Sequence, residues 1–210
     1  FGDESFRDGV DLDHHSFFAK LEASDILPTT SQPTVADFTA MYEEIKASYD
    51  HVFSLHLSRK MSGTCGAAMK AAEAFEGVYV YDTRTVTGTM SLLAERLRAR
   101  LAVGCSVEEA HAYVAYFIEH CGLLIHVATL EYLRRGGRIG RAASLVGDVF
   151  DIRPLVHSAE GEITAYAKVR GQKKALAAMK RFLDESSRPD DTLYYALIDA
   201  SNETEPPQIR

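Results

Sequence analysis

Apolar positions along this chain follow two periods, and the switching between them sets the fold class. "HVFSLHLS" (residues 51–58) and "GVYVYDT" (77–83) are short runs rich in β-branched and aromatic residues, which predicts strands. Between them "SGTCGAAMKAAEAF" predicts a helix beginning near Ser62, and helices are expected around Gly88 to Leu101 and Ser106 to His120. A further strand, "GLLIHVAT", follows. Strands apolar on both faces and separated by amphipathic helices indicate a mostly parallel sheet with helices on both sides. Upstream, Asp8-Gly9 predicts a turn, and a short helix from about Asp13 places Phe17, Phe18 and Leu21 on one face. "PTVADFTAMYEEIKASY" predicts a helix capped by Thr34, with Asp37 as its capping-box partner and Phe38, Met41, Tyr42 and Ile45 as the apolar stripe.

Beyond residue 126 the pattern changes. "LEYLRRGGRIGRAASLVGDVF" reads as short helices broken at Gly136-Gly137 and Gly147, and "IRPLVHSAEGEITAYAKV" as two strands joined by a turn at Ala159 to Gly161. A helix from Gln172 to Glu185 and a strand "TLYYALIDA" complete the chain. Antiparallel pairing after an alternating α/β run predicts two α/β domains, residues 1–122 and 123–210.

Composition narrows the function classes. The 210 residues carry a net charge of -7, which argues against a nucleic-acid or broad anionic-membrane footprint, since either needs a positive excess. Cys65, Cys105 and Cys121 are odd in number and form no CxxC pair, as expected of free thiols in a reducing cytoplasm. The eight histidines show neither HExxH nor Cys2His2 spacing, so no metal is expected. No run approaches the ~20 apolar residues of a membrane span. The chain opens at Phe1 without an initiator Met, and is expected to be a piece of something longer.

Three stretches could carry chemistry. Thr29-Thr30-Ser31 in "LPTTSQP" holds more hydrogen-bonding capacity than a turn needs, although such hydroxyls also cap helices. "SRKMSGT" places Ser62, Gly63 and Thr64 where a strand ends and a helix begins, an attractive position for an anion and equally a good N-cap. Walker, dinucleotide and nucleophile-elbow patterns are all absent there, which leaves a single carboxylate as a plausible guest. "LEYLRRGGRIGR" gathers Arg134, Arg135, Arg138 and Arg141, suited to phosphate or carboxylate or to a solvated helix end, with Glu131 placed to neutralise one of them.

Taken together, "FRDGVDL", "LPTTSQPTVADF", "LHLSRKMSGT", "DTRTVTGTMSLL", "TLEYLRRGGRIGRAASLVGDVFDIRPLVHSAEGEI" and "KVRGQKKAL" resemble the DegV family of bacterial fatty-acid-binding proteins, in order and over nearly the whole chain. The resemblance implies a two-domain α/β fold with a long-chain fatty acid between the domains. It implies that Thr30 and Ser62 bind the carboxylate, with the Gly63 backbone close by. It further implies a non-enzymatic carrier without cofactor, which hands its fatty acid to a fatty acid kinase for conversion to acyl phosphate, feeding phospholipid synthesis. Arg138 and Arg170 would face the kinase or contact phosphate. A monomer touching the membrane surface only transiently is the expected form. The family also has a strand before the position of Phe1 and a Gly-rich, histidine-bearing segment towards its C-terminus, neither of which this sequence contains.

Physical chemistry independently favours such a ligand over a small polar one. Sequestering ~15 methylenes gives a gross gain of about 12 kcal/mol, reduced by association costs. The hydroxyls would select a carboxylate end, because a buried acid without partners loses several kcal/mol. A different class remains open: an enzyme acting on a small phosphorylated or carbonyl metabolite, with Ser62 and the arginines as its phosphate site.

Overall fold

A computed structural model describes residues 1–145, 152–187 and 192–196. Phe1–Ser31 fall in one compact unit and Gln32–Ala196 in a second.

In the first unit the predicted turn lies at residues 8–12, held by a double ion pair from Arg7 to Asp11 (2.8 and 2.9 Å), which pulls the Asp11 carboxyl down to about 2. Helix α1 (His14–Ala23) follows, with the Asp13 carboxylate accepting from Ser16 N at 2.8 Å. Phe17 packs edge-on against Phe1 and Phe18, a small aromatic cluster in place of a core.

The second unit begins with helix α2 (Val35–Lys46). Its N-terminus is the predicted capping box: Asp37 N donates to the Thr34 hydroxyl, and Thr34 N donates to the Asp37 carboxylate at 2.7 Å. Of the expected stripe, Phe38 and Tyr42 are buried, while Met41 is 48% exposed and lies on the flank. Strand β1 (Val52–His56), helix α3 (Thr64–Ala72) and strand β2 (Val78–Asp82) form a βαβ step, with the strands paired in parallel from Val52 opposite Val78 to His56 opposite Asp82. Helices α4 (Gly88–Ala102) and α5 (Val107–His120) complete the layer.

Strand alternation sorts side chains between two cores. Val78 and Val80 pack with Phe38, Tyr42, Ala67, Ala68 and Ala71 under α2 and α3. Phe53, Leu55 and Tyr81 pack with Leu93, Leu97, Ala110 and Val114 under α4 and α5. The sheet is therefore covered by helices on both faces, as parallel pairing requires.

The change of texture falls between α5 and strand β3 (Leu124–His126). That strand does not extend the parallel sheet: it pairs antiparallel with strand β4 (Ile152–Ala159), which pairs antiparallel with strand β5 (Glu162–Arg170). Glu160 (φ 53°) and Gly161 (φ 83°) make the two-residue turn between β4 and β5, in the left-handed backbone that matches strand twist. Helix α6 (Glu131–Arg135), a 3-10 turn at Gly140–Leu145 and helix α7 (Gln172–Ser186) accompany this second sheet. Gly147 lies outside the described residues. The strand expected from Thr192 is not formed over residues 192–196, and its remainder lies outside the described residues.

Candidate functional site

The loop from β1 to α3, residues 57–63, stands at the carboxyl end of the parallel sheet, where open α/β sheets hold ligands. Helix α3 starts at Thr64 with Gly63 as N-cap and no cap from its own side chain. Ser62 serves instead: its hydroxyl accepts from Thr64 N at 3.3 Å and shares a 2.8 Å hydrogen bond with the Thr64 hydroxyl. Ser62 is half-buried.

Gly63 has an ordinary negative φ, and what requires glycine there is close approach. A Cβ at this position would overlap the Gln32 carboxamide, with Cδ 2.8 Å and Nε2 2.9 Å away. The "LPTTSQP" and "SGT" stretches thus touch through Gln32, which the sequence reading passed over. Thr29, Thr30 and Ser31 are exposed and engage in no hydrogen bond among the described residues, so Thr29 and Ser31 have no visible structural bond. Thr30 belongs to the first compact unit and Ser62 to the second.

Arg138 is tied to the loop. Its Nε donates to Met61 O at 3.1 Å and its Nη1 to Gly136 O at 2.6 Å, placing the guanidinium one residue from Ser62. Its neighbours are engaged elsewhere. Glu131 takes Arg134 in a two-pronged pair (2.8 and 3.0 Å) and lies 3.9 Å from Arg135, while Arg141 meets Glu162 at 3.5 Å and Glu160 at 3.7 Å. Among the described residues Arg138 is the arginine of this cluster without a carboxylate partner. Arg170, the last residue of β5, is exposed and paired in register with Ile152.

Beneath the loop lies a polar layer. Ser58 is fully buried: its hydroxyl donates to Gly161 O at 2.6 Å, and its amide donates to Thr85 O at 2.9 Å. Thr83 donates from its hydroxyl to His56 O at 2.8 Å. A relay runs below from the Tyr42 hydroxyl to Ser54 and on to His56 Nε2, each step 2.8 Å. Burial holds the His56 imidazole below its ordinary pKa, hence neutral near pH 7, and Phe38 packs edge-on against it. Burial also pushes the Cys65 thiol up. On the other side of the turn a hollow of about 340 Å³ has a mixed lining, with Arg84, Glu119 and Glu160 beside Ile118, Leu123 and Ala159.

Among the described residues no group of His, Cys, Asp or Glu stands together as a metal ion needs, and no described helix is long and apolar enough to cross a membrane.

Fold and site together define an α/β protein in which a hydroxyl-bearing strand-to-helix loop is held from a second, antiparallel sheet. The chain belongs to the DegV family, whose model, described as an uncharacterised protein of that family, matches residues 1–210. A fatty-acid-binding DegV family protein from Thermus thermophilus has a solved structure similar to this one, with TM-score 0.81 and 34% identity, covering 86% of this chain and 65% of that one. A Deinococcus radiodurans DegV domain-containing protein is 38% identical over 178 residues, 84% of this chain and 63% of that protein. A Thermotoga maritima protein described as a fatty acid-binding protein is 33% identical over 192 residues, 90% of this chain and 67% of that protein. The chain thus spans somewhat under two thirds of the Deinococcus and Thermus relatives.

Proposed function

We propose that this protein binds a long-chain fatty acid, with its carboxylate at the Ser62 hydroxyl and the Gly63 backbone and with Thr30 as a second hydroxyl. The observation that carries this reading is the Ser62 loop itself: a half-buried serine whose hydroxyl stands at the start of α3, beside the Gly63 backbone. The helix-terminal N–H groups favour an ionised carboxyl there. The fatty-acid-binding relatives support it. The protein then acts as a carrier, with no catalytic step of its own, and presents the carboxylate to a fatty acid kinase that forms the acyl phosphate for phospholipid synthesis. Arg138 and Arg170 are assigned to the kinase encounter, both being exposed on the loop and strand end they occupy.

Purified protein extracted with organic solvent is expected to release long-chain fatty acids in near-equimolar amount. Thr30→Ala with Ser62→Ala should abolish that retention. Arg138→Ala and Arg170→Ala should bind fatty acid but slow its phosphorylation by the kinase. Unchanged fatty acid affinity in the hydroxyl double variant overturns the carboxylate assignment.

A further inference from the structure

Three contacts from outside the parallel sheet converge on residues 58–61, immediately before Ser62. The Ser58 hydroxyl, fully buried, donates to Gly161 O at 2.6 Å in the turn between β4 and β5. Lys60 Nζ meets Glu162, at the start of β5, at 3.2 Å. Arg138 Nε donates to Met61 O at 3.1 Å, and the Met61 side chain packs into the core under the second sheet. The turn and the hydroxyl are in direct packing, since a Cβ at Gly161 would stand 2.5 Å from Ser58 Oγ. From Ser58 the restraint passes along the main chain: Met61 N and Ser62 N both donate to Ser58 O, at 3.0 and 3.1 Å, so residues 58–62 form one hydrogen-bonded turn with Ser62 at its far end.

We propose that Ser58 is a positioning residue: through Gly161 the turn between β4 and β5 sets the place and direction of the Ser62 hydroxyl that receives the ligand carboxylate. Ser58 has no access to ligand itself, being closed off from solvent and bonded on both sides. Its influence comes from geometry, because hydrogen bonds weaken steeply as distance and angle depart from their optimum. The proposal rests on the fatty acid reading above and adds that the site is assembled by the second sheet.

The test is a double-mutant cycle with palmitate in the purified protein: wild type, Ser58→Ala, Ser62→Ala and both. Ser58→Ala is expected to weaken palmitate binding about tenfold when Ser62 is present and less than twofold when Ser62 is already alanine, the non-additivity of residues that act as a unit. An equal loss in both backgrounds would mean a general structural role and overturns the proposal. Hydrogen exchange in the ligand-free protein supplies a second readout. The Thr64 amide, which donates to the Ser62 hydroxyl, should exchange about tenfold faster in Ser58→Ala. Unchanged exchange overturns the proposal as well. If the wild type takes up no palmitate, the failure belongs to the fatty acid reading, and the exchange measurement decides the positioning role alone. Should Ser58→Ala not fold, Glu162→Gln removes a solvent-facing contact to the same loop. It is expected to weaken binding about threefold with Ser62 present and not at all without it, and an equal effect in both backgrounds again overturns the proposal.

Discussion

Two stretches of this chain carry the same equipment and use it in opposite ways. Ser58, Ser62 and Thr64 supply three hydroxyls to the loop after β1, and Thr29, Thr30 and Ser31 supply three to the segment before α2. All three of the first set are bonded: to Gly161 O, to each other, and to the Lys60 and Thr64 amides. None of the second set is bonded among the described residues, and the helix cap falls to Thr34 instead. A hydroxyl bonded inside the fold contributes to stability, whereas one left exposed and free contributes almost nothing until a ligand arrives.

The largest expected contrast is between Ser58→Ala and Thr30→Ala. Losing Ser58 leaves the buried Gly161 carbonyl without its donor, and urea denaturation should register a loss of about 1–3 kcal/mol. Thr30→Ala should change stability by no more than about 0.5 kcal/mol while weakening fatty acid binding. Equal losses of stability would break the comparison. Next, Thr34→Ala should cost about 1 kcal/mol, the usual worth of an N-cap, which separates the engaged threonine from the idle hydroxyls of Thr29, Thr30 and Ser31.

Acid should act on the engaged side first. Burial lowers the pKa of His56 in the folded protein, so the unfolded chain binds its proton more readily. The His56 contribution is therefore complete above its unfolded value of 6.5 and is lost as the pH falls through the lower folded value. Asp37, lowered by the Thr34 hydroxyl and amide, adds a second loss as the pH falls below its unfolded value of 3.8. Denaturation midpoints measured between pH 7.5 and 3 should show both steps, and His56→Phe should diminish the upper one, to which His126 and His157, also lowered by burial, contribute the rest. The smallest effect belongs to the surface: Arg134→Gln opens an exposed pair with Glu131 and should move stability by less than about 0.5 kcal/mol.

Most helices were legible because each carries its own period and its own start signal. Thr34 with Asp37, and Ser106 with Glu109, close capping boxes that need no partner from elsewhere in the chain. The pairing of β3 was less accessible: "GLLIHVAT" is equally apolar whether it joins a parallel or an antiparallel sheet, and only contact with β4 decides. Of the candidate site, the strand-to-helix junction was readable, since "SGT" is a local helix-start pattern. Gln32 against Gly63, Ser58 against Gly161 and Arg138 on Met61 O are contacts between distant segments, and no local spacing announces them. Arg138 shows the limit well. Its neighbours are matched by carboxylates nearby in sequence or on the adjacent turn, whereas its own bond to the loop crosses 77 positions.

The bond between Ser58 and Gly161 spans 103 positions of sequence. Closures of that length come late in folding, because the intervening chain must first be gathered in. During synthesis from the N-terminus, β1, α3 and β2 can assemble while the turn that fixes Ser58 is still inside the ribosome. The loop bearing Ser62 would then lack the Ser58 bond until β4 and β5 have emerged and paired. If that loop is the carboxylate site proposed above, a nascent chain would be withheld from lipid until its second sheet is made, a timing written into the order of the polypeptide.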